Sequence, residues 1–399
     1  MSPALLALSA CTFALGFAEF VAVSLVPAIA AGTGLGLGAV GLVVGVYAIG
    51  VSIGAPVLSA WLAPAPRRRV LAVSMLLFAV GNAVTALSSS LPLLLGSRLL
   101  AGLMHGVVLA LAASTAATAA GPARSGQAIA TVFGGLTLAL VLGVPLGTLA
   151  SGTVRWQFIF GAIALLSAVS AIALLRWAPA STALPAAADT PRPSVWATVS
   201  DLPTLRPVVT TALAYAGSFT GFTYIAVLLA QSTHLGAQGI TGMFALYGVS
   251  AAVGNTLGGR FVDRVGSRSA ALCVVGGLVL ALLGAALGAA STPAMAVVMV
   301  GWGLASFGAV PVLQKTVLVA AQQNPAGSPE LASGMNIAAF NLGIAVGSVA
   351  GGLASAQSPQ MPMWVGLVPL FFAAILATRL APAVRSIHPA RGVFNQAGV

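Results

Sequence analysis

The sequence has very few charged residues. Of its 399 residues only 5% are charged, with 16 basic and 5 acidic side chains, whereas a soluble domain carries about 25%. So few charges cannot cover a water-facing surface of this size, which excludes a soluble globular enzyme, a disordered chain and a coiled coil. Hydrophobic residues make up 59% of the chain, so the composition predicts a polytopic membrane protein.

Residues that carry common chemistries are also scarce. The two cysteines, Cys11 and Cys273, lie in distant apolar segments and have no disulfide or metal-ligand spacing. The three histidines and five acids form no metal-binding cluster, and neither a phosphate-binding loop nor a G-x-S-x-G element is present. We therefore expect no metal, no cofactor and no enzymatic activity. The net charge of +11 comes from one lysine and scattered arginines, so we expect no nucleic-acid partner.

Twelve apolar runs of about 20 residues predict twelve transmembrane helices. They lie near residues 4–29, 37–61, 70–88, 92–116, 127–150, 157–177, 206–230, 239–260, 269–290, 293–319, 333–355 and 362–381. The longest polar interruption, 178–205, divides the runs into six and six. The sequence therefore predicts an all-α integral membrane protein with an N-terminal bundle (1–177), a linker (178–205), a C-terminal bundle (206–381) and a tail (382–399).

The basic residues indicate how these helices are oriented. If both ends of the chain are cytoplasmic, thirteen of the 16 basic residues fall in inner loops or at inner helix ends, which is a strong positive-inside bias. They are Arg67, Arg68, Arg69, Arg124, Arg176, Arg192, Arg206, Arg260, Arg264, Arg268, Arg379, Arg385 and Arg391. The first apolar run lacks a basic flank and is longer than a signal-peptide core, so we interpret it as a true span.

The two halves resemble one another. The segment 47–54 (Tyr-Ala-Ile-Gly-Val-Ser-Ile-Gly) matches 247–254 (Tyr-Gly-Val-Ser-Ala-Ala-Val-Gly), and 143–151 matches 347–355. Such repeats predict two pseudo-symmetric bundles around a central cavity. The small residues of segments 5 and 11, among them Gly143, Pro145 and Gly147, predict tight helix packing, either static or at a moving interface.

One loop carries a recognisable motif. Residues 259–268 read Gly-Arg-Phe-Val-Asp-Arg-Val-Gly-Ser-Arg, which is similar to motif A, G-x-x-x-D-[RK]-x-G-x-[RK], of the major facilitator superfamily. The resemblance implies a cytoplasmic gate at Gly259, Asp263, Arg264, Gly266 and Arg268, because an aspartate at a helix end can pair with arginine and with a neighbouring helix N-terminus. Simple positive-inside charge is the alternative. The first-half copy has Ala63 and Pro66 in place of the aspartate and glycine, which puts a charge lock there in doubt.

Three further segments extend the resemblance over essentially the whole chain. Arg98, followed by Gly102, resembles the family's motif B, and residues 143–147 (Gly-Val-Pro-Leu-Gly) partly match the motif C of its antiporter branch. Residues 17–27, with Glu19-Phe-Val and Leu-Val-Pro27, are similar to the start of bacterial drug and arabinose efflux proteins, which include chloramphenicol exporters. The resemblance implies two bundles that rock about a cavity at the middle of the membrane.

Glu19 is the only acidic residue deep inside a predicted span. An ionisable group there costs about 2.5–3.5 kcal/mol, so it rarely lacks a function. Arg98 lies at a comparable depth, and we predict that the two interact, directly or through water. Glu19 then carries the proton of a coupled transport cycle, with a purely structural ion pair as the alternative. His105, two turns further along the helix from Arg98, either relays protons or is a packed neutral side chain.

A substrate cavity is predicted from aromatic and amide side chains. They are Tyr215, Phe219 and Phe222 on segment 7, and Asn336, Phe340 and Asn341 on segment 11. Such groups bind an amphipathic solute by stacking and a few hydrogen bonds, although ordinary packing is an alternative for each. Tyr47, Asn82, Tyr247 and Asn255 are weaker candidates. Lys315 either snorkels to the inner headgroups or contacts the substrate or a gate.

These observations lead to one expected function. We expect a monomeric transporter of the bacterial cytoplasmic membrane, with both termini inside, that exports a small amphipathic compound such as a phenicol antibiotic in exchange for protons. Export of a sugar, a nucleoside or another metabolite is the alternative within the family. A membrane sensor or scaffold without transport is the alternative of another class.

Overall fold

A computed structural model describes residues 2–35, 37–62, 64–151, 154–178, 194–233 and 235–380. Within these ranges the chain is helical and forms no strand. Most of the predicted linker (179–193) and the tail from residue 381 lie outside them. Twelve helices in the described part are long and apolar enough to cross a membrane. The predicted all-helical, twelve-span fold is therefore confirmed.

The spans are named α1 to α12 in chain order, with the following bounds. They are α1 (Pro3–Thr33), α2 (Leu37–Ile53, a π-helical turn at Gly54–Leu58, then Ser59–Leu62), α3 (Arg67–Leu87), α4 (Leu91–Ala120), α5 (Ser125–Ser151), α6 (Trp156–Trp177), α7 (Leu202–Phe222, then Ile225–Ser232), α8 (Ala237–Val265), α9 (Ser267–Gly288), α10 (Thr292–Gln322), α11 (Pro329–Ser355) and α12 (Met361–Thr378).

Local sequence signals set several helix ends. Four spans start with a capping residue whose side chain accepts a hydrogen bond from a backbone N–H group, and each of them has a proline in its first turn. The caps are Ser2, Asp201, Ser291 and Ser328. Gly266 separates α8 from α9 with φ 81°, a backbone conformation that favours glycine. The motif glycine is thus required by the turn.

The buried apolar residues form two main cores. One consists of residues between Ala7 and Ala178, and among the described residues of the second half the buried Leu318 and Ile337 join it. The other consists of residues between Ala214 and Leu380. Large apolar side chains such as Leu87, Leu287 and Leu353 are exposed on the outer surface, as expected where helices face lipid. The predicted bundle boundaries themselves stay a prediction.

Glycines set the same close helix contacts in both halves. A methyl group added at Gly102 of α4 would collide with the carbonyl oxygen of Tyr47 in α2, and one added at Gly303 of α10 would collide with that of Tyr247 in α8. Gly54 and Gly254 meet the Leu103 and Leu304 carbonyls in the same way. The α2–α4 and α8–α10 pairs are therefore packed alike.

The two halves meet at one end of the bundle. We call it the basic end, because the α2–α3, α4–α5, α8–α9 and α10–α11 connections and most of the described arginines lie there. Within the described chain, the hydrogen bonds between the halves all lie in the half of the bundle nearest this end. The bundle is thus closed at its basic end.

A short linker helix, Val195–Val199, is attached to the α10–α11 connection. Ser194 N–H donates to the Ala326 carbonyl at 2.8 Å, and Ser328 N–H donates to the Thr198 hydroxyl at 2.8 Å. The Asn324 amide also donates to the Ala197 carbonyl at 3.0 Å. The end of the linker is therefore fixed to the second half of the chain.

Candidate functional site

The four side chains Glu19, Tyr47, Arg98 and His105 form one cluster in the first half, which we call the carboxyl cluster. The Glu19 carboxylate lies 4.0 Å from Nδ1 of His105, and the Tyr47 hydroxyl lies 2.7 Å from the same nitrogen. The Arg98 guanidinium carbon is 4.0 Å from the centroid of the Tyr47 ring. Three helices thus bring the predicted proton-coupling residues together, with Tyr47 at their centre.

Arg98 is fully buried without a complete set of partners. It donates to the Ala18 carbonyl at 3.4 Å and lies over the Phe160 ring at 5.6 Å as well as over Tyr47. Its Nε and Nη1 groups have no hydrogen-bond partner among the described residues. Unpaired buried donors are costly, and the two aromatic faces offset part of this cost through cation–π attraction.

Glu19 and Arg98 form no ion pair within 4.0 Å among the described side chains. A direct contact, one of the two predicted arrangements, is therefore not seen. The His105 imidazole is the basic group nearest to the carboxylate. The Glu19 side chain is 28% exposed and that of His105 only 2%. The carboxylate is thus the member of this pair that solvent or substrate can reach.

Aromatic side chains of the second half form a separate group, which we call the aromatic cluster. The Tyr215 and Phe340 ring centroids are 4.1 Å apart, and Phe222 stacks on Tyr247 at 4.3 Å. Phe219 lies between Tyr215 and Phe222, at 6.2 and 5.6 Å. The cluster also includes Phe244, Trp302 and Phe307. Four of the six predicted cavity residues are therefore brought together.

The two predicted cavity amides are engaged within the helices. Asn336 accepts a hydrogen bond from Thr211 at 2.6 Å and donates to Gln314 at 2.7 Å. Gln314 donates to Ser333, whose hydroxyl donates to the Ala110 carbonyl of the first half at 3.0 Å. Asn341 donates to the Ile337 carbonyl of its own helix at 2.9 Å. Asn336 thus belongs to a hydrogen-bonded chain that joins α7, α10 and α11 and ends on α4.

Asp263 closes the basic end between α8 and α5. Its carboxylate accepts hydrogen bonds from the backbone N–H groups of Gly126 and Gln127, at 2.8 and 2.9 Å. These are free donors of the first turn of α5, where a negative charge is favoured. Lys315 adds an ion pair to Asp263 at 2.6 Å and donates to the Pro122 carbonyl at 3.2 Å. The predicted gate aspartate therefore joins three helices.

Other predicted gate residues have simpler roles. A methyl group at Gly259 would collide with Gly126 and Ala130 of α5, so this glycine allows the α5–α8 contact. Arg264 and Arg268 are exposed. Lys315 is buried against Asp263, so the snorkelling interpretation is wrong, and the lysine contacts a residue of the predicted gate. Gly143, Pro145 and Gly147 lie in α5, but their packing is outside the described part of the structure.

A second charged contact closes the other side of the basic end. Arg67 at the start of α3 forms an ion pair with Glu330 in the first turn of α11. Arg67 also donates to the Ser114 hydroxyl at 2.8 Å, and Ser328 donates to Glu330 at 3.3 Å. The basic cluster of the first half, whose motif lacks its aspartate, is therefore paired with an acid of the second half. Sequence reasoning missed Glu330 because it lies just before the predicted eleventh span.

The fold and its charged closure are those of a membrane transporter, and comparisons with known proteins identify the family. The profile of the Major Facilitator Superfamily matches residues 8–329. "Inner membrane transport protein YdhP" of Escherichia coli (strain K12) is 36% identical over 355 residues, which is 87% of either chain. "Chloramphenicol resistance protein" of Streptomyces lividans is 31% identical over 390 residues, which is 97% of either chain.

Solved structures share the fold at lower identity. The human organic anion transporter MFSD10 has a TM-score of 0.67 with 21% identity, and covers 94% of this chain and 97% of its own. The proton:xylose symporter XylE has a TM-score of 0.72 with 15% identity and 95% coverage of either chain. The chain belongs to the Major Facilitator Superfamily. It is a multi-pass inner-membrane transporter of small molecules and not an enzyme.

Proposed function

We propose that this transporter exports a small amphipathic compound, such as a phenicol antibiotic, in exchange for protons. The observation that carries the proposal is the partly exposed carboxylate of Glu19 inside the membrane, 4.0 Å from a buried histidine. The relative from Streptomyces lividans and "Chloramphenicol efflux pump Rv0191" of Mycobacterium tuberculosis, 30% identical over 352 residues, support the substrate class.

The carboxyl cluster supplies the means to bind and release a proton. An apolar surrounding favours the neutral carboxylic acid, and a neighbouring guanidinium favours the carboxylate. Arg98 is held by two aromatic rings and the Ala18 carbonyl, so its charge stays in place while water access to Glu19 changes. Rocking of the halves then loads Glu19 from one side and unloads it to the other. A single acid of this kind corresponds to one proton per cycle.

The aromatic cluster offers a binding surface for the substrate. Phe219, Phe222 and Phe340 are partly exposed next to buried Tyr215 and Tyr247, so aromatic faces and edges are available to a planar apolar ring. The proton site lies on α1, α2 and α4, whereas this surface lies on α7, α8, α10 and α11. Exchange therefore requires that both sites respond to the same opening of the bundle.

Orientation follows from the positive-inside rule. We place the basic end in the cytoplasm, with both chain termini. The closed basic end then corresponds to a state in which the cavity opens to the outside, where Glu19 is loaded with a proton.

Transport by the purified protein in proteoliposomes tests the proposal. We expect chloramphenicol to drive proton release by the wild type, and Glu19→Gln to abolish this release while chloramphenicol counterflow continues. Asp201→Asn is the matched control, since it removes an acid outside the carboxyl cluster and outside both charged closures, and asparagine still caps the start of α7. Proton release retained by Glu19→Gln would exclude the coupling role. Failure of the wild type to exchange chloramphenicol would exclude the substrate, and failure of every solute tested would favour a sensor.

A further inference from the structure

A shallow and largely open recess lies on the periphery of the bundle at its basic end, between α3 and α6. Its volume is about 600 Å³, and it is lined by Arg68, Ile172, Leu175, Arg176 and Trp177. Arg68 lies in the first turn of α3 and Arg176 in the last turn of α6. Two cationic side chains from neighbouring helices thus share one surface depression, whose lining includes no residue of the carboxyl or aromatic clusters.

The two arginines are unpaired within the described part of the chain. Neither Arg68 nor Arg176 makes an ion pair or a side-chain hydrogen bond there, whereas the adjacent Arg67 is bound to Glu330 and Ser114. The chain has only five acids. Glu19, Asp263, Glu330 and Asp201 are engaged elsewhere, and Asp189 is outside the described residues. The recess therefore carries a positive charge that an anion from outside the chain can balance.

The rest of the recess is apolar and accessible. Ile172 is 64% exposed, Leu175 42% and Trp177 50%. Outside the lining of the recess, Val73, Leu76 and Leu77 of α3 are also exposed. A tryptophan beside arginines at the end of a span is typical of the headgroup level, with acyl chains below it. A free phosphate ion would leave these apolar groups uncovered, whereas a lipid covers them.

We propose that this recess binds an anionic phospholipid, with the headgroup phosphate between Arg68 and Arg176 and an acyl chain along Ile172 and Leu175. Basic pockets between spans are suited to such headgroups. Since Arg68 directly follows Arg67, a bound lipid would also fix the first turn of α3, which holds the ion pair with Glu330. The site does not depend on the proposed substrate or on proton coupling.

Native mass spectrometry of the full-length protein tests this site. We expect cardiolipin and phosphatidylglycerol to stay bound and phosphatidylcholine with the same acyl chains to be lost. Each arginine near the surface changes lipid affinity roughly fivefold, so Arg68→Gln with Arg176→Gln should weaken cardiolipin binding roughly 25-fold. The matched control is Arg124→Gln with Arg260→Gln, which removes two exposed arginines at the same end, from the α4–α5 connection and from the last turns of α8.

Several results would overturn the proposal. One is an equal loss of cardiolipin in the control variant, which would indicate a general effect of surface charge. Another is displacement of cardiolipin by millimolar inorganic phosphate, which would indicate a phosphate site instead. Unchanged binding by the double variant would also exclude the recess. Arg68→Lys with Arg176→Lys keeps the charge and should retain most of the binding, and unaltered thermal unfolding of each variant ensures that the comparison concerns folded protein.

Discussion

The two halves of the molecule share a helix framework but not its chemistry. In α4 and α10, Gly102 and Gly303 approach the Tyr47 and Tyr247 carbonyls in the same way. Four residues before these glycines stand Arg98 in the first half and Met299 in the second, both fully buried. The same position in the framework therefore holds a charge in one half and an apolar side chain in the other.

The difference continues one turn further along both helices. Three residues after the glycines stand His105 and Ser306. His105 faces the Glu19 carboxylate of α1 at 4.0 Å, and Ser306 faces the Ser218 hydroxyl of α7 at 3.4 Å. The backbone contacts are kept by glycines in both halves, so the side chains between them are free to differ. One half has thereby acquired ionisable groups and the other an aromatic surface.

The largest expected effect comes from exchanging the residues at the shared position of α4 and α10, Arg98 and Met299. Met299→Arg would bury a guanidinium without the aromatic faces that hold Arg98, and we expect the free energy of unfolding to fall by roughly 3 kcal/mol. Arg98→Met should cost much less stability, because an apolar side chain replaces a charge with two unpaired donors. Thermal unfolding in detergent measures both. Equal destabilisation by the two substitutions would contradict the asymmetry between the halves.

The two charged contacts that close the basic end, at Asp263 and at Glu330, can be compared in the same way. Asp263 has two backbone donors and Lys315, so Asp263→Asn should favour opening by about 3 kcal/mol. Glu330→Gln loses one ion pair and should favour opening by about 2 kcal/mol. Alkylation of a cysteine introduced in place of Val262, which is 1% exposed and faces Gly126 of α5, in a background without the two native cysteines, reports opening of the α5–α8 interface. Faster alkylation in Glu330→Gln than in Asp263→Asn would reverse the assigned order.

Gly334 lies at a contact between the two halves. Its substitution therefore tests the closed conformation rather than the folding of either half. A methyl group at Gly334 of α11 would collide with the Ala55 carbonyl and Pro56 of α2, so Gly334→Ala should favour the open basic end by about 1–3 kcal/mol. Gly301→Ala is the control, since no atom lies within 4 Å of its added methyl group. The same alkylation assay applies. A similar rate in both variants would show that the closed interface is not tightly packed there.

The smallest effect on proton release is expected from removing the hydroxyl group of Tyr47 or of Tyr247, its equivalent in the second half. Tyr47→Phe removes the hydroxyl that lies 2.7 Å from His105, and the loss of one such bond costs about 1 kcal/mol. We expect proton release to slow roughly fivefold at unchanged substrate affinity. Tyr247→Phe keeps the ring that stacks on Phe222 and should leave proton release unaltered. An effect of Tyr247→Phe on proton release as large as that of Tyr47→Phe would show that the ionisable chemistry is not confined to one half.

Much of the fold could be predicted from the sequence. The apolar runs are long enough to cross a bilayer, and several helices start with a capping residue followed by a proline. The position of Asp263 at a loop followed from its motif. Its partners could not be predicted, because Lys315 and the first turn of α5 meet it only through the packing of distant helices. Glu330 lies between the tenth and eleventh predicted spans, and its ion pair with Arg67 likewise depends on the packing of distant helices.

The carboxyl cluster shows a different limit. The positions of Glu19 and Arg98 along their predicted spans indicate similar depths in the membrane, and both residues do belong to one cluster. Depth says nothing about rotation around a helix axis, so it could not distinguish a direct ion pair from the observed order, in which Arg98 lies over Tyr47 and His105 lies next to Glu19. The repeated Tyr-to-Gly segment was the available signal for Tyr47, since it marks a position at which both halves make a close helix contact.

The attachment of the linker helix makes the fluorescence of its tryptophan, Trp196, a probe of the basic end. Trp196 is 77% exposed on a helix held by hydrogen bonds to the connection that precedes Glu330. Any displacement of that connection therefore carries the indole ring with it and alters the polarity around it. The emission wavelength of this one fluorophore, isolated by replacing the other tryptophans with phenylalanine, would follow the opening of the basic end in real time without a chemical label.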